Sequence, residues 1–154
     1  MRVLFLCTGN SCRSQMAEGW LRALSGEAVA VRSAGIYAHG KKPRAIAVMA
    51  EIGIDISGQE SKVLREEDVA WADLVVTVCG HADEHCPRLP PQVQKRHWPL
   101  EDPARAGGEE AAVLAKFRAT RDEIGERCQA LLKELGYPVR WPQRPGHTVP
   151  GAGE

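Results

Sequence analysis

A cysteine and an arginine near the start of the chain, Cys7 and Arg13, have the types and spacing for nucleophilic chemistry on an anion. Gly9 and Asn10 lie between them, and both residue types tolerate a positive φ, so successive backbone N–H groups can turn inward as a nest. A thiol beside that nest and a guanidinium is expected to have a depressed pKa, and the thiolate is the nucleophilic form. The pattern predicts that Cys7 attacks an oxyanion bound by this loop.

The elements on either side place the loop where a ligand site is expected. Apolar residues 3–6 indicate a buried strand, and from about Arg13 to Ser25 apolar residues recur at helical spacing. In an open α/β sheet, ligands bind at such a junction. The alternative, a buried structural thiol and a surface arginine, leaves the glycine and asparagine unexplained. The nucleotide motifs G-x-x-x-x-G-K-[ST] and G-x-G-x-x-G do not occur in the chain.

Strands and helices alternate along the rest of the chain, which predicts an α/β fold with a parallel sheet, right-handed crossovers and helices on both faces. Further strands are expected at 28–31, 74–78 and 95–100, and further helices at 43–52, at 66–72 and up to residue 135. Residues 138–154 contain four Pro and three Gly. We therefore expect a catalytic domain at 1–137 and a loose tail at 138–154.

Length and charge limit the class of protein. With 154 residues, 44% of them apolar, the chain can form one domain with its own core. Acidic and basic residues are equal in number, 20 of each, which argues against general affinity for nucleic acid or anionic membranes. No signal peptide or membrane span is evident, so a cytoplasmic location is expected. A monomer is expected because no long exposed apolar stripe is evident.

Five cysteines in a reducing compartment favour catalysis, redox chemistry or metal binding over structural disulfides. Cys79 ends the strand expected at 74–78, and in a parallel sheet this places it on the same edge as Cys7. Cys86 follows seven residues later and is expected on a mobile loop that can bring it to Cys79.

The remaining cysteines leave alternatives open. Cys12 suits either a protective disulfide with Cys7 or a packed side chain, whereas Cys128 fits the apolar stripe of the last helix. A zinc site is a further alternative, with four nearby candidate ligands in Cys79, His81, His85 and Cys86. Their spacing matches no standard zinc finger and a second cysteine pair is missing, so no metal is expected.

The segment from Cys7 to Ser14 resembles the active-site loop of low-molecular-weight protein tyrosine phosphatases. The longer segment to Trp20, with Ser33-Ala34-Gly35 and Asp102-Pro103, is still more similar to the thioredoxin-coupled arsenate reductases of that fold. The similarity extends over roughly residues 1–135. It implies a four-stranded parallel sheet, an arsenate or phosphate oxyanion as substrate, and no organic cofactor.

The resemblance also implies roles for single residues. Cys7 is the nucleophile, Arg13 clamps the oxyanion, and Ser14 donates a hydrogen bond to the thiolate. Asp102 is the general acid and Glu101 the fallback, although an Asp before Pro is often only a turn starter. The oxyanion-binding loop comprises Thr8, Gly9, Asn10, Ser11, Cys12 and Arg13, with Asn10 shaping it.

A relay of three thiols is implied as well. Cys7 attacks arsenate, Cys79 attacks Cys7 and expels arsenite, and Cys86 then attacks Cys79, leaving a disulfide that thioredoxin reduces. The alternative function is a phosphatase with a phosphocysteine intermediate. A phosphotyrosine enzyme needs an aromatic wall, but the chain has only two Tyr, and Ala104 follows Asp102-Pro103.

One departure from the reductases concerns a cation. Some of them hold a potassium ion near the loop, with Thr and Asp side chains after a D-I-S segment. In this chain Asp55-Ile56-Ser57 is followed by Glu60 and Lys62 at those positions. The Lys62 ammonium could supply the positive charge, so we expect no potassium dependence.

Overall fold

Four parallel strands form a single sheet in the computed structural model, which describes residues 1–140. The strands are β1 (Arg2–Cys7), β2 (Ala30–Gly35), β3 (Leu74–Thr77) and β4 (Gln94–His97). Their order across the sheet is β2-β1-β3-β4, so β1 lies between two neighbours. This arrangement confirms the predicted parallel sheet.

The helices form two layers around the sheet. They are α1 (Arg13–Ser25), α2 (Pro43–Glu51), α3 (Glu66–Trp71), α4 (Gly80–Glu84) and α5 (Glu110–Leu135), with a 3₁₀ turn at Pro103–Arg105. Helices α1, α2 and α5 pack together on one face, whereas α3 and α4 contact β1 on the other. The predicted three-layer α/β class is confirmed.

The expected tail at 138–154 falls largely outside the described residues, so the domain boundary at 137 stays a prediction. Among residues 1–140, no helix combines the length and the apolar character needed to cross a membrane.

The carboxyl end of β1 is the point at which the site is built. Cys7 pairs with Gly35 at the end of β2, and beyond β3 the Val78 N–H donates to the Leu6 carbonyl at 2.9 Å. The chain then reaches Cys79 beside the end of β1. The predicted position of Cys79 on the Cys7 edge is confirmed.

Close packing of α1 on α5 fixes the helix that follows the loop. Trp20 is buried, and its Nε1–H donates to the Arg121 carbonyl at 2.9 Å. A Cβ atom on Gly125 would lie 2.6 Å from the Trp20 ring, so the absence of a side chain there lets the indole pack on the α5 backbone.

The second strand differs from the sequence expectation. It spans Ala30–Gly35 instead of 28–31, because its ladder with β1 continues through the polar residues Arg32 and Ser33. Ser33 is buried although it is polar, because its hydroxyl is hydrogen-bonded. A search for apolar runs does not detect such a residue.

Two further differences lie near the catalytic edge. The segment between Cys79 and Cys86, expected to be a loop, contains α4, whose only buried residue is Ala82. Strand β4 ends at His97, before the expected residue 100, and Pro99 has no N–H to continue a ladder.

Candidate active site

The loop that follows β1 is held through its carbonyl groups. Each carbonyl oxygen from Cys7 to Cys12 accepts a hydrogen bond from a residue outside the loop. The donors, in the order of their acceptors, are Ile36, Tyr37, His39, Gln15, Lys42 and Met16, at 2.8–3.1 Å. All six acceptors are therefore occupied on the outer side of the loop.

The inner side of the loop presents unoccupied donors. No backbone N–H group from Gly9 to Cys12 has an acceptor within residues 1–140, and the Arg13 Nε atom is buried without a partner. Buried donors are nearly always satisfied in proteins. Together with the N-terminal end of α1, these groups suit an oxyanion, which would accept from all of them.

Asn10 determines the shape of this loop. It is fully buried and, among residues 1–140, the only non-glycine residue with a positive φ, 46°. Its side chain makes four hydrogen bonds of 2.9–3.1 Å, with Ser14 Oγ, Ser33 Oγ, Gln15 Nε2 and the Lys62 N–H. Both ends of the amide are therefore used to hold a left-handed conformation that most residue types disfavour.

Gly9 is required in the loop because the His39 side chain lies close to it, and not because of a positive φ. A Cβ atom there would lie 2.5 Å from Nδ1 of His39. Ser14, expected to donate to the Cys7 thiolate, is fully buried and accepts from Asn10 at 2.9 Å. A hydrogen bond from Ser14 to Cys7 stays a prediction.

Cys7 and Cys79, at the carboxyl ends of neighbouring parallel strands, each shift the pKa of the other. The Cys79 sulfur also lies 3.1 Å from the Thr8 hydroxyl and 3.4 Å from the Ala82 N–H. The hydrogen bond with Cys7 is the largest effect lowering the pKa of Cys79 to about 5, and Thr8, Ala82 and the Arg13 charge add to it. These contacts favour the thiolate form of Cys79.

The pKa of Cys7 shifts in the opposite direction. Its hydrogen bond to Cys79, followed by burial, raises the pKa of Cys7 far above that of an ordinary thiol, although Arg13 and the Thr8 N–H act in the opposite direction. This direction is opposite to the depressed pKa expected for Cys7. The two thiols interact strongly, so their titration belongs to the pair.

The other thiols are protonated at neutral pH. Burial raises the pKa of Cys12 to about 12, and Asp102 contributes in the same direction. Cys86 is half-buried, and burial raises the pKa of its thiol as well. Cys128 is fully buried in the core, as its place on the apolar stripe of α5 predicts.

Arg13 and Asp102 face each other at the mouth of the loop. Arg13 Nη1 donates to the Leu100 carbonyl at 3.0 Å, and Nη2 lies 3.6 Å from the Asp102 carboxylate. Asp102 also accepts from the Ala104 N–H at 3.0 Å, so it does start the 3₁₀ turn. Both residues line a cleft of about 560 Å³, and Glu101 lines it too.

The cleft has walls that the sequence did not indicate. Arg105 and Lys116 line it, and within residues 1–140 neither forms an ion pair. On the other side, four rings stack in a row, His39, Tyr37, His81 and His85, of which His81 lines the cleft. The i,i+4 spacing of His81 and His85 is the signal that could have indicated this row.

The cation beside the loop is not Lys62. Its ammonium lies 3.5 Å from Asp68, and only its backbone N–H contacts Asn10. Arg22 instead forms an ion pair of 2.6 Å with Glu18, whose other carboxylate oxygen accepts from Ser33. The suggested role of the Lys62 charge is therefore corrected.

The four candidate zinc ligands do not form a site. Helix α4 separates Cys79 from Cys86, and His81 and His85 stack on each other. Across residues 1–140, no three His, Cys, Asp or Glu side chains are grouped to hold a metal ion.

A parallel sheet whose central strand leads into an anion-binding cysteine loop is the design of the phosphatase-like α/β proteins. The family model of the low molecular weight phosphotyrosine protein phosphatases matches residues 2–140, and the chain belongs to this family. The similarity is high to an arsenate reductase of Bacillus subtilis, with 54% identity over 127 residues, 82% of this chain and 91% of the relative.

Two solved structures have the same fold. An arsenate reductase in a phosphate-binding state has 37% identity and a TM-score of 0.72, with 88% of this chain and 98% of that chain covered. A thioredoxin-dependent arsenate reductase of Corynebacterium glutamicum has 30% identity and a TM-score of 0.72, covering 87% of this chain and 61% of the other.

Proposed function

We propose that this protein is an arsenate reductase that uses its own thiols as the source of electrons. The observation that carries the proposal is the position of Cys79, whose sulfur lies 3.1 Å from the hydroxyl of Thr8, the residue after Cys7, at the edge of an oxyanion-binding loop. Hydrolysis through a single cysteine has no use for a second thiolate in that position. The high similarity to named arsenate reductases supports the same function.

In the first step the Cys7 sulfur bonds to arsenic. Cys7 passes its proton to the Cys79 thiolate as it attacks, and the loop N–H groups and Arg13 bind the remaining oxygens. One arsenic–oxygen bond breaks, and that oxygen leaves as water after receiving a proton. Asp102 lines the cleft beside Arg13 and is the proposed donor of that proton.

In the second step Cys79, again deprotonated, attacks the Cys7 sulfur. A disulfide forms, the sulfur–arsenic bond breaks, and its electron pair stays on arsenic, which is reduced from As(V) to As(III) and released as arsenite. The two thiols supply the two electrons. The position of the Cys79 sulfur, 3.1 Å from the hydroxyl of the residue after Cys7, supports this step.

The third step requires α4 to open. Cys79 precedes α4 and Cys86 follows its C-cap, so an intact helix separates their Cα atoms by about 10 Å, whereas a disulfide needs about 4.4–6.8 Å. Once the helix opens, Cys86 attacks Cys79 and frees Cys7. An external dithiol then reduces the Cys79–Cys86 disulfide.

We further propose thioredoxin as that dithiol, since one structural neighbour is thioredoxin-dependent. A cytoplasmic location agrees with thiols that must be kept reduced. A monomer is the proposed state of the protein.

Single-turnover reduction followed by mass mapping of disulfides tests the function. The reduced wild-type protein should convert arsenate to arsenite and accumulate the Cys79–Cys86 disulfide, whereas Cys86→Ser should trap Cys7–Cys79. Cys7→Ser should abolish the reaction. If arsenate is consumed in neither protein and neither disulfide forms, the reductase proposal is rejected.

The alternative is a phosphatase with a phosphocysteine intermediate, and the oxyanion loop and Arg13 suit phosphate as well as arsenate. Cys79→Ala separates the two functions. It should remove arsenate reduction and leave hydrolysis of an aryl phosphate in place. Loss of both activities in this variant would show that Cys79 also serves the loop itself.

A further inference from the structure

We propose that Arg22, in the last turn of α1, is a positioning residue for the oxyanion loop and holds Asn10 through two separate chains of hydrogen bonds. Arg22 does not line the catalytic cleft. The proposal depends on the proposed function only in that the loop binds an oxyanion, and its test measures oxyanion binding without reduction.

The first chain passes through a carboxylate. Arg22 Nη2 donates to Glu18 Oε2 at 2.6 Å, and the Ser33 hydroxyl donates to Glu18 Oε1 at 2.5 Å. Asn10 Nδ2 in turn donates to Ser33 Oγ at 3.0 Å. Because Ser33 gives its proton to Glu18, its oxygen is left as an acceptor for the Asn10 amide.

The second chain passes through two glutamines. Arg22 Nη1 donates to Gln59 Oε1 at 3.2 Å, and Gln59 Nε2 donates to Gln15 Oε1 at 2.8 Å. Gln15 Nε2 donates to Asn10 Oδ1 at 3.1 Å. The orientation of each amide is fixed by the next, so one guanidinium sets the direction of donation in both chains.

The positive charge is needed because Glu18 is buried. Its side chain is only 11% exposed, and within residues 1–140 Arg22 is the only cation paired with it. A buried carboxylate without a counter-ion is strongly unfavourable. Arg22 is itself fixed, since Nη2 also donates to the Val31 carbonyl at 3.1 Å.

Both chains end on the residue that gives the loop its shape. Asn10 is held at φ 46°, and its own N–H is one of the unoccupied donors on the inner side of the loop. Without Arg22 the Glu18 charge is uncompensated, and Ser33 and Gln15 lose the partners that orient them. The loop donors then lose their common direction, although no residue in contact with the oxyanion has changed.

Arg22→Gln tests the proposal, with phosphate and arsenate as probes. Calorimetric titration of the reduced protein should show both anions bound about tenfold more weakly, the size of effect known for outer-shell partners. Arg22→Lys should retain most of the affinity. Arg127→Gln is the matched control, because Arg127 forms the same i,i+4 pair with Glu123 on α5 and is remote from the loop.

Two further measurements separate positioning from a loss of stability. Millimolar guanidinium should restore phosphate affinity to Arg22→Gln and leave Arg127→Gln unchanged. The double variant Glu18→Gln/Arg22→Gln should bind phosphate more tightly than Arg22→Gln alone, because the uncompensated charge is gone.

Several results would overturn the proposal. One is a phosphate affinity of Arg22→Gln equal to that of Arg127→Gln. Another is that neither added guanidinium nor the double variant restores phosphate binding. If Arg22→Gln does not fold, the double variant carries the comparison: it should bind phosphate more weakly than Arg127→Gln, because Gln59 has lost its guanidinium partner. If Arg22→Gln binds phosphate more weakly and the wild-type protein forms no arsenate-dependent disulfide, this proposal stands and the reductase function is rejected.

Discussion

The sulfur of Cys79 lies 3.1 Å from the Thr8 hydroxyl of the oxyanion loop and accepts a hydrogen bond from the Ala82 N–H at the start of α4. One atom therefore joins the oxyanion loop to the helix that precedes Cys86. Both contacts lower the pKa of Cys79, the second cysteine of the proposed relay.

The first prediction concerns titration of the thiol pair. In the wild type, ultraviolet thiolate absorbance should report one thiolate that forms with a midpoint near pH 5, because the pKa of Cys79 is lowered to about 5. Cys7→Ser removes the largest cause of that lowering, so the pKa of Cys79 should rise. Cys79→Ser removes the largest cause of the raised pKa of Cys7, which should fall.

Cys128→Ala is the control for these titrations, since Cys128 is a neutral thiol in the core. It should leave the absorbance profile between pH 4 and 8 unchanged, a range that covers the ionisation of Cys79. A wild-type protein without a thiolate until pH 8 would contradict the lowered pKa of Cys79.

The second prediction concerns the opening of α4. A Cβ atom on Gly80 meets no other atom, and alanine should stabilise the helix by up to about 1 kcal/mol. Gly80→Ala should therefore slow formation of the Cys79–Cys86 disulfide by at most about fivefold. His85→Ala removes the bond of 2.8 Å from His85 to the His81 carbonyl and should accelerate the same step.

Quenched single-turnover reactions analysed by mass spectrometry measure both rates. Phosphate affinity should be the same in His85→Ala and the wild type, because His85 does not line the cleft. Equal rates of disulfide formation in all three proteins would mean that Cys86 reaches Cys79 without opening α4.

The third prediction is that potassium does not activate the protein. The Arg22 guanidinium already pairs with Glu18 at 2.6 Å, so the buried carboxylate has its counter-ion. Steady-state arsenate reduction should be equal in potassium and sodium chloride at matched ionic strength. Strong activation by potassium over sodium would argue against both this role of Arg22 and the alignment of the Asp55-Ile56-Ser57 segment.

The fourth prediction concerns stability. Gly125→Ala places a methyl group 2.6 Å from the Trp20 ring, and overpacking of this kind destabilises a protein by about 1–3 kcal/mol. Urea unfolding should reveal the loss. Gly107→Ala, where the added Cβ meets open space, should stay close to the wild type. Equal urea midpoints for Gly125→Ala and the wild type would mean that α1 and α5 accommodate the added methyl group without loss of stability.

Sequence reasoning located the site through local patterns. The apolar run before Cys7, the Gly and Asn of the loop and the helical spacing after Arg13 are contiguous, and each carries its own conformational preference. The position of Cys79 followed from one rule, that parallel strands end at the same edge. These features need no knowledge of which atoms touch.

Other features depend on contacts between distant segments and were not predictable. The mutual pKa shifts of Cys7 and Cys79 depend on the approach of two side chains that are 72 positions apart in the chain. The support of Asn10 comes from Ser33 and Lys62, which lie on different elements. The short α4 lacks an apolar stripe, and a thiolate at its N-cap takes the place of the usual capping residue.

The cap of α4 links chemistry to shape. When Cys79 forms a disulfide, its sulfur can no longer carry the negative charge that attracts the Ala82 N–H. Helix α4 therefore loses its N-cap when the thiols are oxidised. The oxidised protein therefore differs from the reduced protein in the stability of α4. A reducing partner that binds only the destabilised α4 segment would select oxidised molecules without contacting arsenic.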